Sequence, residues 1–135
     1  SVSGGAIFRG AHCIKTWAKM QSVVAKSSAE AELYAAGKAA TEALGAQSYL
    51  RDLGTWSSVR LHLDSTSALS LIHKTGLGQA KHIEIQHLWL QDAVKSKRLQ
   101  CAKVHTDFNG ADLMTKPLAA DRVALLMSIC GFHFV

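Results

Sequence analysis

The opening stretch of the chain, Gly5 to Trp17, carries two short apolar runs separated by Arg9-Gly10-Ala11. This pattern predicts a β-hairpin, with Gly10 supplying a turn dihedral that other residues avoid. From Ser27 to about Leu53 the period lengthens, and Leu33, Ala36, Gly37, Ala40 and Leu44 recur every three or four residues. The spacing predicts a helix whose stripe of small side chains lets it lie close against a sheet. Ser27-Ser-Ala-Glu30 is a capping-box pattern for its start, and Gly54 supplies its stop. Val59-Arg-Leu-His-Leu-Asp64 alternates again and predicts a strand that ends on a carboxylate. Ser65 to Lys74 reads as a short helix ended by Thr75-Gly-Leu-Gly78. Lys81 to about Lys95, apolar at Ile85, Leu88, Trp89 and Val94, reads as another. Leu99 to His105 is a predicted strand, Asp107 to Gly110 a loop, and Ala111 to Thr115 a short helical turn before Pro117. Arg122 to Cys130 is a last amphipathic helix, closed by Gly131. The order is hairpin, helix, strand, helix, helix, strand, helix, which implies an α/β domain with a mixed sheet and helices on both faces. No repeat, low-complexity tract or linker divides it, so residues 1–135 are expected to form a single domain.

Composition narrows the class. Hydrophobic residues make up 48% and charged residues 19%, a globular balance rather than a disordered or fibrous one. Cys13, Cys101 and Cys130 are odd in number and scattered. They read as reduced thiols of an intracellular protein, and argue against a disulfide framework or a zinc site. No apolar run approaches the roughly 18 residues of a membrane span, and no secretory leader opens the chain. The expectation is a soluble protein of the cytoplasm or nucleus with no membrane partner. A net charge of +5, with seven His besides, is compatible with a polyanionic partner. Since the first residue is Ser1 rather than Met, the chain is expected to be part of something longer.

Three acids stand on rigid elements: Glu32 early in the long helix, Asp64 between a strand and a helix, and Asp112 at the start of a short helical turn. In α/β sheets ligands gather near the carboxyl ends of strands, which suits Asp64 and Asp112. Each acid also has a purely structural reading. Glu32 could complement a helix dipole, Asp64 could cap the following helix, and Asp112 could cap or close a loop. Glu30 is fully explained by its capping-box position. Clustered carboxylates otherwise suit hard divalent cations, two of which can stabilise the attacking and leaving oxygens of phosphodiester hydrolysis. The chain has no HExxH, GxxxxGK[ST] or GxSxG pattern, so zinc-peptidase, P-loop and serine-hydrolase chemistries lack support.

Ser27-Ser-Ala-Glu-Ala-Glu-Leu-Tyr34 resembles the SSAEAEY signature of ribonuclease H domains in copia-type retrotransposon Pol polyproteins. His62-Leu-Asp-Ser-Thr-Ser-Ala68 resembles their C-D-N-x-S-A strand end, and Lys81-His-Ile-Glu-Ile85 their K-H-I-D-I. Ala111-Asp-Leu-Met-Thr-Lys-Pro-Leu118 resembles A-D-I-F-T-K-P-L, while Ser1-Val-Ser-Gly-Gly5 and Ile14-Lys-Thr-Trp17 resemble S-T-S-G-Y and I-S-W. Order and spacing agree along nearly the whole chain. The resemblance implies a ribonuclease H-like fold, a five-stranded mixed sheet flanked by helices. It implies endonucleolytic cleavage of the RNA strand of RNA–DNA hybrids with two Mg²⁺ or Mn²⁺ ions, beside the reverse transcriptase of the same polyprotein and in virus-like particles. Its helix Glu corresponds to Glu32, its strand-end Asp to Asp64 and its late Asp to Asp112, which are the catalytic and metal-binding set. The family's first strand carries a further Asp in a D-A-D-W-A-like stretch before the S-T-S-G-Y match. This chain is therefore expected to be N-terminally incomplete, with the first strand missing or truncated.

Near Asp107 relatives carry a His or Glu that aids product release or proton transfer; Asp107 and His105 are the auxiliary candidates, against a loop-capping Asp and a strand-end His. Hybrids are recognised by phosphates, shape and 2′-hydroxyls. Ser65, Thr66, Ser67, Lys81 and His82 are the candidate contacts. Lys95, Lys97 and Arg98 form a basic run that could track the nucleic-acid backbone electrostatically, though it reads first as a solvated helix end favoured by the dipole. Trp17, Trp56 and Trp89 read as packing residues. Beside the hybrid endoribonuclease stands a second reading, a catalytically silent remnant or nucleic-acid-binding structural module lacking the first Asp. A third, an integrase or transposase with the same two-metal logic, lacks support from the Ser27–Tyr34 and Thr115–Leu118 signatures.

Overall fold

The computed structural model describes residues 2–22, 24–73 and 88–131. The order among them is β1 (Val2–Arg9), β2 (His12–Met20), α1 (Ser28–Asp52), β3 (Arg60–Leu63), α2 (Thr66–His73), α3 (Leu88–Lys95), β4 (Gln100–Lys103) and α4 (Ala120–Cys130). Two 3₁₀ turns, Thr106–Phe108 and Gly110–Met114, stand before α4 where a loop and one helical turn were expected. The last helix begins two residues earlier than the apolar pattern indicated. The mixed α/β content agrees with the sequence, and each compact unit contributes its own strand pair among the described residues. The described strands make two two-stranded sheets, β1 with β2 antiparallel and β3 with β4 parallel. They fall in two compact units, Ser1–Val24 with Val104–Val135 and Ala25–Lys103.

In the Ala25–Lys103 unit, α1 owes its start to Ser27, whose Oγ accepts the Glu30 N–H at 3.1 Å. Glu30 reaches back past the cap, accepting the Lys26 N–H at 2.9 Å through Oε2 and the Tyr34 hydroxyl at 2.8 Å through Oε1. The helix ends in a Schellman motif: Gly54, at φ +90°, donates to the Arg51 carbonyl and Thr55 to that of Leu50. The predicted stripe is the buried one, with Leu33, Ala36, Gly37 and Ala40 inside and Leu44 at its margin. These residues pack with Leu61 and Leu63 of β3, Ile72 of α2, Leu90 and Ala93 of α3, and Leu99. Along β3, buried Leu61 and Leu63 alternate with exposed Arg60 and His62. The β3–β4 pair is parallel because α2 and α3 return the chain to the same end before β4 begins.

In the other unit the hairpin turns through Gly10-Ala11, with Gly10 at φ +61°, and a bulge displaces the register between Ile7 and Phe8. Gly5 pairs with Trp17, whose ring occupies the space a side chain at Gly5 would need. Gly4 gives the same access to the second 3₁₀ turn, since a Cβ there would lie 2.9 Å from Met114 Cβ. On the other side of that turn a Cβ at Gly110 would lie 2.8 Å from Cys130 Sγ on α4. The turn is thus held between β1 and α4 at two positions that lack side chains. The three cysteines are free. Among the described residues no helix is long and apolar enough to cross a membrane.

Candidate functional site

In each of the three neighbourhoods the structural duty that would explain the acid is carried out by a neighbour. At Glu32 the first-turn acid of α1 is Glu30. Glu32 lies two residues further on, at the fifth position of the helix, where the influence of the dipole is fading. At Asp64 the helix cap is Ser65: its Oγ accepts the Ala68 N–H at 3.1 Å, and its carbonyl accepts the Leu69 N–H at 3.1 Å. At Asp112 the cap of the 3₁₀ turn is Asn109, whose Oδ1 accepts the Ala111 N–H at 3.2 Å. The capping alternatives offered by the sequence for Asp64 and Asp112 are therefore replaced by Ser65 and Asn109.

Glu32 and Asp64 belong to the same unit. Each is half-buried and adjoins a member of one apolar core, Leu33 on α1 and Leu63 on β3. Asp112 belongs to the other unit. It is buried, and a buried carboxylate needs compensating charge. Lys116 Nζ lies 3.2 Å from its Oδ1 and Arg122 Nη2 3.7 Å from its Oδ2. Among the described residues no three His, Cys, Asp or Glu side chains gather as a group able to hold a metal ion. Carboxylate oxygens are the donor type that hard divalent ions take, and at Asp112 the charge they face is that of Lys116 and Arg122.

The auxiliary candidates are structural in the first instance. His105 caps the first 3₁₀ turn, its Nδ1 accepting the Asp107 N–H at 3.1 Å. That lone pair is committed, so the 3.4 Å approach of Nδ1 to Asp107 Oδ2 is not an ion pair through a protonated nitrogen. The His105 ring sits 6.1 Å from that of Phe108. Both His105 and Asp107 are exposed. Among the substrate candidates, Ser65 is the cap described above, Thr66 Oγ1 accepts from Lys103 Nζ at 2.7 Å, and Ser67 is exposed. Lys81 and His82 lie outside the described residues. The basic run closes α3: Lys97, at φ +64°, donates to the Val94 carbonyl and Arg98 to that of Ala93. Trp17 and Trp89 pack as expected, but Trp56 is 70% exposed and does not.

The residue that sequence reasoning missed is Arg122. Its Nη1 donates to the Asp107 carbonyl at 2.7 Å and its Nη2 to that of Thr106, while its ion pairs reach Asp107 and Asp112. A cation in the first turn of a helix opposes the dipole, and that was the available signal.

Over 134 residues, 97% of its length, the chain is 31% identical to part of the retrovirus-related Pol polyprotein from transposon TNT 1-94 of Nicotiana tabacum. The chain spans 10% of that polyprotein. The similarity supports a retrotransposon Pol origin. No protein-family profile matches the chain. No solved structure matches it.

Proposed function

We propose that the chain is the ribonuclease H-like part of a copia-type retrotransposon Pol polyprotein, acting beside its reverse transcriptase to cut the RNA strand of RNA–DNA hybrids. The observation that carries the reading is the division of labour at the three acids. Glu30, Ser65 and Asn109 make the caps, so capping is not what accounts for Glu32, Asp64 or Asp112. These are also the three positions at which the sequence resembles the family's metal-binding carboxylates. The similarity to a Pol polyprotein over nearly the whole chain supplies the biological setting. The antiparallel β1–β2 pair and the parallel β3–β4 pair are the kinds of pairing that a mixed ribonuclease H-like sheet contains.

In this reading Glu32, Asp64 and Asp112 would hold Mg²⁺ or Mn²⁺, which when bound supplies positive charge to the reacting phosphate. The chain's own groups bind and orient. The Thr66 hydroxyl, two residues after Asp64, accepts from Lys103, which pairs with Leu63 across the β3–β4 register, and the two would meet a backbone phosphate together. A catalytically silent nucleic-acid-binding module is the second reading. It is favoured by the pairing of Asp112 with Lys116 and Arg122.

One experiment separates them. The protein is expressed with its flanking Pol sequence, where the resemblance places the remaining Asp, and given a labelled RNA–DNA hybrid with Mg²⁺. Cleavage by the wild type and its loss in Asp64→Asn, with binding and thermal unfolding retained, is the expected result. Binding without cleavage by the wild type establishes the silent module, and full activity in Asp64→Asn removes Asp64 from the site.

A further inference from the structure

The first acidic residue of the chain is Glu30, and before it stand Arg9, Lys15, Lys19 and Lys26 together with His12. All but Lys26 lie on the β1–β2 hairpin, and the strand register gathers them on one face. Residues paired across an antiparallel ladder share a face, and neighbours along a strand alternate. The pairs Ser3–Lys19, Gly5–Trp17 and Ile7–Lys15 therefore lie on one side. The extra residue of the bulge, Ile14, is on β2, so β1 keeps its alternation and the pair Arg9–His12 joins the same side. Val2–Met20, Gly4–Ala18, Ala6–Thr16 and Phe8–Cys13 form the other side, which carries no charge. At Gly4 that uncharged side abuts the second 3₁₀ turn, where a Cβ would meet Met114 and Thr115. The charged side is turned away from it, and Arg9, His12, Lys15 and Lys19 are all exposed there.

A hairpin that needed only a solvated face would gain from mixing signs, because like charges across a strand pair repel and opposite charges attract. Arg9 opposite His12, with Lys15 and Lys19 beyond and no acid in the hairpin, is instead the arrangement of a surface that meets a polyanion. Its dimensions suit a nucleic-acid backbone. From His12 to Lys19, allowing for the bulge, the strip runs about 20 Å at roughly 3.4 Å per residue. One strand of a duplex carries about six phosphates over that length. Single strands are held by bases stacked on free aromatic rings, whereas the Trp17 ring in this strip is half-buried and laid on Gly5. We infer that the charged side of the hairpin is a docking strip for the phosphate backbone of the RNA–DNA hybrid, with Arg9, Lys15 and Lys19 as its phosphate contacts. The inference rests on the nucleic-acid part of the function proposed above, which the cleaving and silent readings share, and uses neither metal nor catalysis. Because this side faces away from the turn that holds Asp112, the strip anchors the duplex and leaves that acid to act elsewhere.

The test measures hybrid binding by fluorescence anisotropy in EDTA, which prevents cutting, across a range of salt, in the protein with its flanking Pol sequence. Each phosphate contact contributes about 0.9 to the slope of log K against log salt. Lys15→Gln/Lys19→Gln is expected to make that slope shallower by about 2, equally for hybrids of unrelated sequence, and adding Arg9→Gln removes about one more. Lys15→Arg/Lys19→Arg keeps the charge and should keep the slope. Lys38→Gln/Arg51→Gln removes the same charge from α1 and should also leave the slope unchanged. The hairpin variants lie on an exposed face and relieve repulsion, so their urea midpoints should not fall. A wild-type slope in Lys15→Gln/Lys19→Gln, or an equal change in Lys38→Gln/Arg51→Gln, overturns the inference while wild-type hybrid binding leaves the proposed function standing. A larger loss on single-stranded RNA of the same length overturns the duplex assignment. If the hairpin variants keep hybrid binding and lose retention on polyglutamate, the strip serves an acidic protein and the inference equally falls. Failure of the wild type to bind the hybrid removes both this inference and the function it rests on.

Discussion

Adjacent residues at the end of β3 offer a way to separate function from stability, because Asp64 and Ser65 carry different duties. Ser65 Oγ accepts the Ala68 N–H at 3.1 Å and so satisfies one of the open amides of α2. Removing such a cap costs about 1 kcal/mol, within a range of roughly 0.5–2. Asp64 stands one residue outside the cap, where favourable interaction with the helix dipole contributes on the order of 0.3–1 kcal/mol. Asp64→Asn keeps the shape and one acceptor oxygen, so it should cost no more than Ser65→Ala. Even a loss of about 1 kcal/mol from a domain stable by about 5 leaves roughly 99.9% of molecules folded. Unfolding cannot then explain a fall in activity, whereas a hundredfold loss of rate corresponds to about 2.7 kcal/mol of barrier. Urea unfolding and hybrid cleavage, measured on both variants, should separate: Ser65→Ala lowers the unfolding midpoint more, and Asp64→Asn loses at least about a hundredfold in cleavage rate. If Asp64→Asn is instead the more destabilised of the two, its carboxylate belongs to the architecture of the strand end.

Other predictions follow from the packing and the thiols. Gly5→Ala drives a methyl into the Trp17 ring; overpacking of this kind costs about 1–3 kcal/mol, and an unchanged urea midpoint would show that the ring can move aside. Lys97→Gly relieves a left-handed residue at the end of α3 and should stabilise by about 1 kcal/mol, raising the melting temperature by about 3 °C. A lower melting temperature would mean that the Lys97 side chain contributes more than its backbone costs. Burial pushes the Cys101 thiol up to about 11 from 9.0. Alkylation at pH 8 should then be about a hundredfold slower in the native protein than in urea, and equal rates would refute the burial argument. Because the folded-state value is the higher one, this thiol favours the native state below about pH 9, and the contribution is lost as pH rises from 9 toward 11.

How far the fold could be read in advance depended on whether an element's cause was local. The α1 helix was fully readable, because its start at Ser27 and Glu30, its stripe from Leu33 to Leu44 and its stop at Gly54 are all short-range signals. The hairpin was readable for the same reason, since two turn residues and a positive φ at Gly10 decide it. The start of α4 was not. Ala119 makes no side-chain cap, and Ala120 and Asp121 carry no apolar signal, so the pattern seemed to begin at Arg122. Sheet membership was not readable either, because period-two alternation marks a strand without naming its partner. The exposure of Trp56 is a matter of tertiary placement, which a side chain's chemistry does not encode.

The candidate site shows the same boundary between local and tertiary causes. Residue type and position marked Glu32, Asp64 and Asp112 while leaving a cap as an equal explanation for the last two, since Asp is among the best capping residues. Whether either acid is a cap depends on whose oxygen meets the open amides, and those hydrogen bonds are made by Ser65 and Asn109. A Ser directly after Asp64 and an Asn three residues before Asp112 could have suggested which residues make the caps, because each is a capping type in its own right. Arg122 lies beyond such reasoning by another step. Its contacts run 10 to 16 residues back along the chain, to Asp112, Asp107 and Thr106. No local rule reaches that far, but a local anomaly does point to it: a cation in the first turn of a helix is unfavourable where it stands. A residue that its own helix disfavours is explained by what it holds elsewhere, and here that is a buried carboxylate.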